Sequence, residues 1–157
     1  MTRTPRLTPV APRAQASAMP ALFTVESANR MLPLVRRIAQ DIVNGYAEWQ
    51  ERVHEFELAT AGAHAGRPDR QADVLQLEAQ RLAADIEECQ RELGRLGVEF
   101  KGYDMGLVDF PAELDGRPVY LCWRLGEERV EHWHERDAGY AGRQPLAPVA
   151  PVSPLAH

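Results

Sequence analysis

From Leu75 to Leu96 the apolar residues fall in steps of alternately four and three: Leu75, Ala79, Leu82, Ile86, Cys89, Leu93 and Leu96. No period but a helix with one buried stripe produces that spacing. A second run lies upstream at Met31, Val35, Ile38, Ile42, Tyr46, Trp49, Val53 and Phe56, with one extra step of four near Asn44 and Gly45. Two such stripes joined by the short segment AGAHAGRP predict a long antiparallel two-helix hairpin with a coiled-coil-like seam.

Local signals place the ends of these helices. Thr24 is a good N-cap, with Glu26 in the first turn and Phe23 poised as half of a hydrophobic staple. Pro33 falls inside the pattern and predicts a kink or a break there. The first helix fades at Ala59 to Gly62, and the second starts near Pro68 or Asp69. Gly97 is placed as a left-handed cap. Cys89 on the seam reads as a small buried hydrophobe, and His64 reads as an exposed loop residue.

After Gly97 the period drops to two. Val98 and Phe100 alternate with charged neighbours, and a turn follows over 102–106. Leu107 to Phe110 reads as a strand ended by Pro111, and Asp115-Gly116 as a turn. Val119 to Leu125 is the strongest strand, and Val130 to Glu135 its return. The fold class is therefore α+β: the hairpin, closed at its open end by a small C-terminal antiparallel β-meander. Residues 22–146 form that domain. Residues 1–21 and 147–157 are Pro- and Ala-rich and have the composition of disordered segments. Met19 immediately precedes the ordered-looking region and is a candidate translation start. The AQASA string lacks a preceding apolar run, so a secretory signal is rejected.

Composition narrows the function classes. A formal net charge of -5 over 157 residues argues against nucleic acid as a partner. No apolar run reaches the roughly 20 residues of a membrane span. The two cysteines, Cys89 and Cys122, fit reduced thiols in a cytoplasmic protein. Helices this long need more surface than one seam each, which points to a homo-oligomer.

Chemistry-bearing residues concentrate between Gly106 and Leu146, which hold two of the three Trp, two of the five His and one of the two Cys. His132 and His134, two apart on a strand, point the same way and could hold one divalent metal ion with Asp109 or Glu127. Asp109 and Glu127 are also candidates for acid–base work, and Arg124, Tyr140 and Arg143 for ligand recognition. The competing reading makes 136–146 a clamp, with Tyr140 packed and Arg143 ion-paired. An even loop between the last two strands would put His132 and His134 with Val119, Leu121 and Trp123, and Arg124 opposite Glu131. It would send Cys122 to the other face, away from any Cys–His site. Gly94 and Gly97 follow a helix, so no phosphate-binding loop is indicated.

The strings FTVESAN and LP near the first helix, and GLVDFPA, VYLCWRLGE, WH and GRQPL in the closing block, resemble a bacterial family of unknown function. The resemblance covers roughly residues 22–146. It implies the same helical pair and closing block but supplies no catalytic residues. Ser27 stands where the family pattern has an acidic residue, which weakens the expected capping box. The reading this supports is a non-enzymatic assembly module that self-associates through its helices. The alternative is a metal- or small-ligand-binding protein, with room for catalysis, whose site lies on the meander.

Overall fold

The computed structural model describes residues 22–62 and 69–147. The expectations for 1–21, His64, Met19 and the tail from 148 lie outside them. Helix α1 spans Val25–Ala61 and α2 spans Arg70–Arg95, followed by strands β1 (Glu99–Gly102), β2 (Leu107–Leu114), β3 (Arg117–Arg124), β4 (His132–Glu135) and β5 (Gln144–Pro145). The strands form one antiparallel sheet in sequence order.

The caps form as their residue types dictate. Asp69 accepts from the backbone of Gln71 and Ala72 at the start of α2. Thr24 and Ser27 make a reciprocal capping box, Thr24 Oγ1 accepting from Ser27 N at 3.0 Å and Ser27 Oγ from Thr24 N at 2.8 Å. A serine hydroxyl thus replaces the expected carboxylate, because the box needs only an acceptor within reach. Gly97, at φ +84°, ends α2 in a Schellman motif with Val98 N donating to Leu93 O.

Two expected chain breaks do not occur. Helix α1 continues through Pro33. Strand β2 continues through Pro111, which pairs with Tyr120 of β3. Strand β1 pairs only as far as Asp109, and beyond it Phe23 N donates to Pro111 O at 2.7 Å. A residue in a strand directs its N–H and C=O to the same side. The N–H that Pro111 lacks would therefore have faced a position where β1 has ended, and no ladder bond is lost.

The sheet packs one face on the hairpin. Val108, Phe110, Ala112, Val119, Leu121, Trp123 and Val130 meet the α1 stripe of Ala28, Leu32, Val35, Ile38, Ala39 and Ile42. Phe23 closes this core edge-on to Phe110, ring centroids 5.2 Å apart. Among the described residues of α1, none beyond Ile42 is buried.

The connection between β3 and β4 does not follow a tight hairpin. Nine residues, 123–131, separate the paired Cys122 and His132. Val130 is drawn out of the sheet and onto α1: its N–H donates to Asn29 Oδ1 at 2.8 Å, and its C=O accepts from Asn29 Nδ2 at 3.4 Å. Arg36 holds the same loop by donating to Glu128 O at 2.9 Å. The odd count reverses the expected parity. Leu121 lies opposite Trp133, while Cys122 lies opposite His132 and Tyr120 opposite His134. Arg124 faces Leu107 rather than Glu131. Asn29→Ala should therefore strand two backbone groups at a core residue and cost about 1–3 kcal/mol, read by urea unfolding.

Candidate functional site

The sheet face turned away from the helices carries Asp109 on β2, Tyr120 and Cys122 on β3, and His132 and His134 on β4. Alternation along each strand puts them together, since Asp109 pairs with Cys122 and Cys122 with His132. Asp109 and His134 are each 2% exposed and Cys122 is 0% exposed. Such burial of polar groups on a face opposite the helices needs a cover. The segment after β4 contributes to it, placing Tyr140 and Arg143 beside this face.

His134 Nδ1 lies 2.7 Å from Glu135 O, and a carbonyl can only accept, so Nδ1 carries the hydrogen. His134 Nε2 lies 2.9 Å from Asp109 Oδ1. One further proton must sit on that line, either on the carboxyl or on a cationic ring. Burial pushes the Asp109 carboxyl above its ordinary range, against the opposing pull of His134 and Lys101, which favours the proton on the acid. Burial also pushes the Cys122 thiol up to about 12, with the nearby Asp109 adding to it. Cys122 is therefore a neutral thiol in this arrangement and a poor nucleophile, although it does share a face with His134.

The remaining candidates are engaged with each other. Arg143 donates to both Glu127 oxygens, at 2.8 and 2.7 Å, and Arg124 donates to Tyr140 Oη at 3.0 Å. Glu127 Oε1 also accepts from Arg124 N at 2.7 Å. Ion pairing of Arg143 and engagement of Tyr140 match the clamp arrangement. Arg117, on the same strand as Arg124, pairs instead with Glu135 at 2.8 Å. His132 Nδ1 lies 3.5 Å from Glu127 Oε2 and makes no hydrogen bond. The two histidines thus have different surroundings: His134 meets Asp109, and His132 meets Glu127.

Sequence reasoning placed Cys122 apart from His134 because it assumed an even loop. Nothing local to the loop marks its odd length, which accompanies its contact with Asn29 on α1. The family model described as "Uncharacterized conserved protein (DUF2203)" matches residues 21–146. The chain belongs to this family. No curated protein and no solved structure matches it. The DUF2203 match spans α1 through β5 and so takes in Asp109, Cys122, Glu127, His134 and Arg143 together.

Three outcomes are expected for chelator-treated protein. Asp109→Ala leaves a buried imidazole nitrogen unpaired and should cost about 1–3 kcal/mol, whereas Asp109→Asn keeps a donor to Nε2 and should cost less. The unfolded chain loses the Asp109 proton from about pH 4, while the folded protein holds it to higher pH. The contribution of this group to stability therefore falls as pH rises through that window, and Asp109→Asn should remove that fall in unfolding curves taken at successive pH values. Cys122 should resist Ellman's reagent at pH 8 in the native protein and react once urea unfolds it.

Proposed function

We propose that the protein is an assembly module that self-associates through the outer half of its helical hairpin. The observation that carries this is the exposure of Leu58, Val74 and Leu77 at 62%, 53% and 65%, on a part of the hairpin the sheet does not reach. Trp49 on α1 and Ile86 on α2 belong to the core cluster, but Leu58, Val74 and Leu77 turn away from it. A pair of long helices burying one stripe each is marginal in water, and two such hairpins side by side make a four-helix bundle.

The groove along this region supports a second copy as the occupant. It is lined by Glu48, Arg52, Glu78, Arg81, Leu82 and Asp85. Arg52 is held by Glu55 and Glu78 of its own chain, and a surface carrying both signs of charge can exchange such pairs with a second copy across a two-fold axis. Membrane attachment by a spanning helix finds no support, since no helix of the described residues is long and apolar enough. The free thiols of Cys89 and Cys122 support a reducing, cytoplasmic setting. The net charge of -5 supports a protein rather than a nucleic acid as the partner.

A small-ligand site made of Asp109, Arg124, Glu127, Tyr140 and Arg143 is the weaker reading, because Arg124 pairs with Tyr140, Glu127 with Arg143, and Asp109 with His134. Light scattering on a size-exclusion column should return at least twice the 17.6 kDa chain mass, with Leu58→Glu/Leu77→Glu protein returning the monomer mass. A wild-type chain that stays monomeric at high concentration would refute the assembly role.

A further inference from the structure

The Asp109, Cys122 and His134 cluster is more than a buried hydrogen-bond pair. Its carboxylate oxygen, sulfur and imidazole nitrogen all lie within 4.8 Å of one another. They come from three adjacent strands, so none is brought in by local sequence proximity. We infer that these three side chains form a binding site for one zinc-class divalent cation, which staples β2, β3 and β4 together.

Four features of the geometry carry this. The donor set is one thiolate, one imidazole and one carboxylate, a combination suited to zinc, cobalt(II) or iron(II) and poorly suited to magnesium or calcium. His134 is oriented as a ligating histidine is: Nδ1 donates to the Glu135 carbonyl at 2.7 Å and leaves Nε2 facing Asp109. Binding would release the Cys122 thiol proton and the proton shared by Asp109 and His134, so that a thiolate and a carboxylate balance the two positive charges of the ion in a region that is 0–2% exposed. Finally, Nε2 and Oδ1 already face each other across 2.9 Å, a line the ion would take over from a shared proton.

Bond lengths of about 2.0–2.3 Å put tetrahedral donors roughly 3.5 Å apart. The donors, which lie within 4.8 Å of one another, would close by about 1 Å on binding. Three protein donors leave a fourth position for water or for a donor atom of a bound molecule. His132 lies outside this group of three donors, with its Nδ1 3.5 Å from Glu127 Oε2. The H-x-H spacing at 132–134 therefore marks the neighbourhood of the site but not its ligand pair.

The test uses the full chain, stripped with a chelator and titrated with cobalt(II) and separately with zinc. Cobalt should bind at one ion per chain and give a thiolate-to-metal charge-transfer band. That band should persist in Cys89→Ser and His132→Ala proteins and vanish in Cys122→Ser. Zinc should raise the melting temperature of the wild type by about 5 °C or more. His134→Asn and Asp109→Asn should each weaken cobalt binding at least tenfold. A folded Cys89→Ser protein with no charge-transfer band and no zinc stabilisation would overturn the site, as would a band retained in Cys122→Ser. Should Cys122→Ser fail to fold, unchanged cobalt affinity in folded His134→Asn would overturn it equally. The result is independent of oligomeric state, so loss of the metal site would leave the assembly reading standing.

Discussion

Asn29 takes both backbone polar groups of Val130, and most of the far side of the protein depends on that one contact. A backbone N–H and C=O at a core position need partners, and here a side chain on α1 supplies them instead of a neighbouring strand. The loop 125–131 can then leave the sheet, pass over α1, and return one residue out of the phase a tight hairpin would impose. Every side chain of β4 is set by that phase. With it, Trp133 joins the core and His134 lies beside Asp109. One residue fewer in the loop would put Trp133 against the polar face and His134 against the helices.

The two faces of the sheet are stabilised by different physics. The helix-facing side is a close-packed apolar layer around Phe110, Leu121 and Trp123. The opposite side holds several paired polar groups under a cover from the last segment of the chain, with His132 Nδ1 and Arg143 Nε left without a hydrogen-bond partner. Burial there is tolerable only because the groups answer one another: Glu127 takes Arg143 and the Arg124 backbone, and Asp109 takes His134. Trp123 joins the two sides, its ring in the core and its Nε1–H donating to Glu127 O at 3.0 Å.

The helices were readable because their signals are local. The four–three spacing, Thr24, Asp69 and Gly97 act within a turn or two of where they stand, and each behaved as its chemistry requires. Pro111 and the β3–β4 loop were misread because their outcome is decided far away in the chain, by Phe23 and by Asn29. The polar residues of the meander show the same division. Asp109 and His134 stood out by type and do meet, but Cys122 was set aside on a parity that only tertiary contact could reveal. His132, chosen for its spacing, turns to a different carboxylate.

Helix α1 is one continuous helix through Pro33. Near its start it grips the loop through Asn29 and Arg36, and near its end it displays Leu58. The 29 residues from Asn29 to Leu58 span about 44 Å at helical rise. The rod is therefore a lever arm as well as a scaffold. A tilt at the tip is resisted by the apolar packing of Ala28 to Ile42 and by the three hydrogen bonds from Asn29 and Arg36 to the loop that precedes β4.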